Sequence, residues 1–304
     1  MARNSLIFIA LFYVGFSTLF GQNFNPSKAE ELRASGDLKG AIAERQARFS
    51  ENPHDYDNAY RLAALFSLDR KRDSAFYYLD YALRGDTSVQ VLSDPDFYFL
   101  VEDARWNDLE ARQIEKVEAK YGSYPFPDRS KKLWRMSMKD QAYYYHIEVA
   151  EKQLPKGSPV LRALWDLKEK LNAENLRELE AMIEAHGWPT LSDVKGSAAQ
   201  AAFLIIQHAD LEVQEKYLPF LKAAVEKNEA DPGALALLTD RIRIRKDQPQ
   251  LYGSQVRRNP ETGAFEPFPI EDEAHVDARR KAVGLPPLAE YLAHWGIEYA
   301  PPGK

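Results

Sequence analysis

The chemistry this chain can offer is concentrated in its last third. His208, Asp210 and Glu271 are candidate catalytic groups; Asp240, Arg241, Tyr252 and Gln255 are candidate ligand-binding groups. His208 follows Ala201, Leu204 and Ile205 by seven, four and three residues, and so shares their helix face. An imidazole is the side chain best suited to moving protons near neutral pH. Asp210, two residues on, is near enough in sequence to orient the ring. Arg241 can grip a carboxylate or phosphate with paired donors. Gln255 both donates and accepts, and Glu271 is a candidate acid. Such a set, assembled from helix ends and a hairpin, suits a metal-independent hydrolase or group-transfer enzyme.

Each of these residues also has a plain structural role open to it. His208 can be a satisfied core histidine, Asp210 an N-cap before Leu211, and Arg241 half of an internal ion pair with Asp240 or another acid. Tyr252-Gly253-Ser254-Gln255 can be simple turn chemistry, or a glycine that lets backbone approach a ligand closely. Asp272 is placed to cap the helix containing Val276 and Asp277. The aromatic run Tyr143 to His146 reads as core packing rather than a stacking platform.

Stronger signatures are absent. The six histidines are scattered, with no pair at zincin spacing, and no G-x-S-x-G elbow, P-loop or dinucleotide fingerprint occurs. No cofactor and no metal site is expected. Cysteine is missing altogether, which excludes disulfides, thiolate catalysis and thiolate metal sites. The formal net charge of -6 leaves no basic surplus to neutralise a phosphate backbone, so nucleic acid is not an expected partner.

The elements that must position these groups read as mainly α-helical. Lys131 to Gln153, Leu161 to His186, Ser197 to His208, Leu211 to Lys227 and Pro232 to Lys246 are helical in pattern. Leu251 to Arg258 and Ala264 to Ile270 flank the turn cluster Asn259 to Gly263 and predict one small β-hairpin. At the other end, a basic n-region and the apolar run Leu6 to Phe20 predict a removable signal peptide over residues 1–21. The expected location is therefore exported, periplasmic or secreted, with no stable membrane insertion after signal removal. An uncleaved N-terminal anchor is the rival reading of the same segment.

Between the two lies an internal repeat. Ala75-Phe76 stands 34 residues after Ala41-Ile42, and Gly36-Asp37 marks the first turn. With Gly36, Ala41, Pro53, Ala75 and Ala82 at the signature places, residues 27–121 resemble tetratricopeptide repeats closed by a capping helix. Arg70 departs from the pattern where glycine is favoured, and Thr87 where proline is. Asp94, with Pro95 behind it, reads as an N-cap. Residues 122–130, with Pro125 and Pro127, read as a linker, and 131–304 as a C-terminal domain.

In that domain Asp140-Gln141, Gly187-Trp188-Pro189, Gln207 to Asp210, Leu238 to Arg241, Tyr252 to Gln255 and Pro269 to Asp272 follow one another. In this order the clusters resemble those of a bacterial family of unknown function, over roughly Lys131 to Trp295. That resemblance implies a shared domain and brings no reaction. The expectation is an exported repeat protein that binds a protein or peptide partner through a short helical array. The alternative is the enzyme described above.

Overall fold

The structure, a computed structural model, describes residues 26–259 and 261–300. The predicted signal peptide lies outside them, as does Pro260 of the predicted turn. The described chain is mainly α, with a single two-stranded antiparallel hairpin, as the sequence patterning predicts. It divides into two compact units, one ending at His208 and the other beginning at Ala209.

The first unit opens with α1 (Lys28–Ser35), α2 (Leu38–Glu51), α3 (Tyr56–Leu68) and α4 (Arg72–Ala82). Their starts are fixed locally. Ser27 and Glu30 form a reciprocal capping box, and Asp37 and Asp55 accept from the Gly40 and Asn58 amides. Such a cap contributes about 1 kcal/mol. Ala41 and Ala75 are fully buried, so the helices approach closely where the repeat predicts small residues.

The two inter-helix turns solve one geometric problem differently. Gly36 takes φ +88°, and a Cβ there would sit 2.6 Å from Val149 Cγ1, so backbone and neighbour both require glycine. Arg70 takes φ +61° in the next turn. That conformation costs a side-chain-bearing residue roughly 1–2 kcal/mol. Its guanidinium lies 3.3 Å above the Phe99 ring, a cation–π contact that offsets part of this.

Two 3-10 segments follow, Gln90–Leu92 and Pro95–Leu100, the second capped by Asp94 as predicted. The helix α5 (Ala104–Tyr121) then buries Trp106 completely. Next come α6 (Pro127–Gln141), α7 (Tyr144–Gln153), the long α8 (Pro159–His186), α9 (Leu191–Val194) and α10 (Gly196–His208). The helix predicted over Lys131 to Gln153 is broken in two. Ala142 is extended and Tyr143 takes φ +71°, so the backbone turns between α6 and α7. Helix α6 starts at Pro127, whose missing N–H costs nothing at a first helical position.

Two packing arrangements in this unit position the Asp140–His208 pair described below. α6 and α10 run side by side: Ser130 Oγ donates to the Val194 carbonyl at 3.1 Å, and Trp134 Nε1 to Ser197 Oγ at 3.0 Å. Their C-terminal ends therefore finish together. Helix α7, in turn, lies on α1. Lys152 Nζ donates to the Ala34 carbonyl at 3.1 Å and Gln153 Nε2 to Ser35 at 2.6 Å, while the Arg33 guanidinium sits 5.0 Å over the Tyr145 ring.

The second unit holds α11 (Leu211–Glu226), α12 (Pro232–Arg245), β1 (Val256–Arg258), β2 (Phe265–Pro267), α13 (Val276–Ala282) and α14 (Leu288–Ala293). Val256 pairs with Pro267 and Arg258 with Phe265, so the hairpin stands where it was predicted but is shorter. Its core is Val256, Val276, Leu288, Tyr291 and Leu292. One capping expectation is corrected. Asp272 takes φ +44° and makes no side-chain cap; its carboxylate accepts from His275 Nδ1 at 2.8 Å instead.

Candidate functional site

Because α6 and α10 end together, Asp140 on the last turn of one meets His208 on the last turn of the other. Asp140 is fully buried, and His208 Nδ1 lies 3.0 and 2.9 Å from its two oxygens. The His208 side chain is 6% exposed. Nδ1 therefore carries the proton that the carboxylate accepts, a tautomer assigned from this bond. Nε2 makes no hydrogen bond among the described residues and is not one of their fully buried unpaired atoms. It is the ring position left for chemistry.

The carboxylate is held from other sides too. Gln141 Nε2 donates to it at 2.6 Å. Lys168, only 1% exposed, reaches from α8 and donates to the Asp140 carbonyl and, at 2.6 Å, to Asn172 Oδ1. Burial pushes the Asp140 carboxyl up, but His208, Lys168 and the Gln141 amide together outweigh it and leave the group below its ordinary value of 3.8. For Lys168 burial wins over the attraction of Asp140, and its amine is pushed down. The arrangement is a buried carboxylate–imidazole pair with a cation behind it, a geometry able to abstract a proton at Nε2.

Asp210, the carboxylate expected to orient His208, does something else. It caps α11, accepting from the Val213 amide at 3.2 Å. The orienting role belongs to Asp140, 68 residues away in sequence. Lys168 gave a fainter signal: with Leu171, Asn175, Leu179 and Met182 it forms a buried stripe at helical spacing, in which a lysine and an asparagine are out of place.

The remaining candidates lie in the second unit, and most of them converge on one loop. Asp240, fully buried on α12, accepts from the amides of Leu251 at 2.6 Å, Tyr252 at 3.0 Å and Ser254 at 3.0 Å. Burial pushes its pKa up, and these three N–H groups recover only part of the shift. The carbonyls of the same loop are taken from the opposite direction. Arg279 Nε donates to Leu251 at 2.8 Å, Arg280 Nη1 to Tyr252 at 2.6 Å, and the Tyr291 hydroxyl to Ser254 at 2.7 Å. Gln255 donates its amide N–H to Gln250 Oε1 at 2.8 Å and its side chain to Ser254 Oγ at 3.0 Å.

Tyr252 thus enters this cluster through its backbone. Gly253, at φ +67°, abuts Leu288, where a Cβ would sit 2.7 Å from Cδ1; its close approach is to the protein's own core. The clamp accounts for Asp240, Tyr252 and Gln255 without any ligand. Arg241 is buried beside it on α12, at 6% exposure. Glu271 adjoins the clamp through its backbone, which bonds Gln250 and Arg279, but its side chain lies on the surface, paired with Arg243.

Among the described residues, no group of three or more His, Cys, Asp or Glu side chains is placed to hold a metal ion. None of the described helices is long and apolar enough to cross a membrane.

Residues 127–300 match a family of unknown function (DUF6624). The match covers more than half of the chain, and the chain belongs to that family. It takes in both the Asp140–His208 pair and the loop clamp. No curated protein and no solved structure matches the chain.

Proposed function

Since the chain belongs to a family with no assigned reaction, we propose a function from its geometry. The protein is an exported hydrolase or group-transfer enzyme in which His208, oriented by Asp140, is the general base. The observation that carries this reading is the bond from His208 Nδ1 to a fully buried carboxylate at 2.9 Å, with Nε2 uncommitted. A carboxylate behind an imidazole fixes the tautomer and stabilises the imidazolium that forms when Nε2 takes a proton. Residues 28–82 act in this reading as two tetratricopeptide-type repeats. Their task is to brace α7, and through it the end of α6 where Asp140 sits.

The packing of α7 favours bracing over capture of a peptide partner by the array. Tyr145, Lys152 and Gln153 already occupy the exposed side of α1 and its turn. Export rests on the apolar N-terminal segment of the sequence.

The test is turnover of a panel of chromogenic carboxylic ester, amide, phosphate ester and glycoside substrates by the purified mature chain. One class is expected to react, and His208→Ala to lower kcat by about 100-fold or more. Asp140→Asn is expected to lower kcat with KM little changed. An inert panel, or turnover indifferent to His208→Ala, would overturn the assignment.

A further inference from the structure

At the opposite end of α6 from Asp140, about 20 Å away by helical rise, lies a surface cleft of about 430 Å³ that the proposed reaction does not use. Its walls are Pro125, Phe126 and Pro127; Arg129, His186 and Asp193 line it. His186 directly precedes the Gly187-Trp188-Pro189 cluster, which neither the dyad nor the loop clamp absorbs.

Arg129 is the unusual member. Its side chain is only 14% exposed, yet it makes no hydrogen bond among the described residues, and Nε is fully buried without a partner. The nearest acid, Asp193, stands 3.7 Å from Nη2, beyond hydrogen-bond distance. The guanidinium carbon sits 3.8 Å over the Phe126 ring. Stacking occupies the flat face of the guanidinium and leaves its in-plane donors unspent. A largely buried arginine with no hydrogen bond requires an explanation, because desolvating its donors without replacing their water costs stability.

Two further features favour negative charge. Phe126 offers α6 no side-chain cap, and of the first-turn amides only that of Asp128 has no acceptor among the described residues, those of Arg129 and Ser130 being donated to the Phe126 carbonyl. His186 adds a ring donor on the other wall. Two acids oppose: Asp128, which is 91% exposed and pairs with Lys131 at 3.7 Å, and Asp193. Neither holds Arg129 by a hydrogen bond, so a better-placed oxyanion displaces only a loose contact.

We infer that this cleft binds a small organic oxyanion. The ligand is a carboxylate or phosphate ester carrying a flat or branched apolar group. Arg129 takes two of its oxygens, His186 donates to it, and Phe126 with the flanking prolines seats the apolar part. The volume lies within the range of small-molecule sites, roughly 300–1,000 Å³.

The test titrates the full chain with benzoate, phenyl phosphate and the neutral benzyl alcohol, following the His186 ring resonances by NMR. Saturable shifts are expected with one or both anions and none with the alcohol; comparing the two anions identifies the oxyanion preferred. Arg129→Met should weaken binding by about tenfold or more, since it removes a paired charge-assisted contact. Phe126→Ala and His186→Gln, both at exposed positions, should each weaken it several-fold, the second followed by the Phe126 ring resonances because it lacks the His186 reporter. They carry the test if Arg129→Met fails to fold. Binding of the alcohol equal to that of the anions, no saturation with either anion, or affinity unchanged in the folded variants would overturn the inference.

Discussion

Replacing Asp240 by alanine should come close to unfolding the second unit. The carboxylate is fully buried and receives three backbone amides, those of Leu251, Tyr252 and Ser254, at 2.6–3.0 Å. Each amide left without an acceptor costs about 1–3 kcal/mol, the upper end applying to the most deeply buried. Ser254 is 1% exposed, whereas Leu251 and Tyr252 are half-buried. The sum is about 4 kcal/mol, against a total of about 5–15 kcal/mol for a typical domain. Asp240→Asn keeps one acceptor oxygen and should cost about half as much. Urea unfolding can be followed by the fluorescence of Trp295, the sole tryptophan after residue 208. Hydrogen exchange reports the amides of residues 251–254 directly. The expected order of stability is wild type, then Asp240→Asn, then Asp240→Ala, with exchange protection lost in that loop first. If Asp240→Ala costs under about 1 kcal/mol and leaves the loop amides protected, the clamp does not hold the unit together.

Four further outcomes follow from the first unit. Long-range proton–nitrogen spectra should show His208 as the Nδ1–H tautomer at neutral pH, and Asp140→Asn should mix the two tautomers; a dominant Nε2–H form in the wild type would refute the dyad geometry. Because the folded-state pKa of Asp140 is lowered, its stabilisation is fully present above its unfolded value of 3.8 and lost as pH falls through the lower folded value. Asp140→Asn should therefore flatten the acid side of the stability profile of the unit, measured by melting between pH 2 and 6. Arg70→Gly relieves the positive φ but loses the stack on Phe99, so it should be near neutral; Arg70→Ala loses the stack and keeps the strain, and should melt as the less stable of the two by about 1 kcal/mol. Gly36→Ala meets both an unfavourable φ and Val149, and should cost about 2–4 kcal/mol in chemical denaturation.

What could be read from the sequence was what is encoded locally. The start of α11 was legible because Asp210 is a capping signal within one turn of the helix it starts. The turn at Gly36 was legible for the same reason, and the hairpin because turn residues flank its strands. The break at Tyr143 was not: a tyrosine carries no breaker signal, and it is held at φ +71° by tertiary packing against Tyr98 and Phe99. Asp272 looked like a cap, but His275 and Arg279 compete for its carboxylate. The functional pair was half legible. His208 stood out by its position on an apolar face, whereas its partner is set by how α6 and α10 pack, which no local spacing records. Asp210 was the nearer carboxylate in sequence; Asp140 is the nearer one in space.

The seating of α7 on α1 also decides where this chain can be divided. The family match begins at residue 127, between α5 and α6. That border is not a mechanical seam. A polypeptide starting there would turn Tyr145, Val149 and Gln153 toward water and deprive Phe99's neighbours, Tyr143 and His146, of their lid. Helices α1 and α7 are one packed piece, and a chain that dispenses with α1 must bring its own cover for α7.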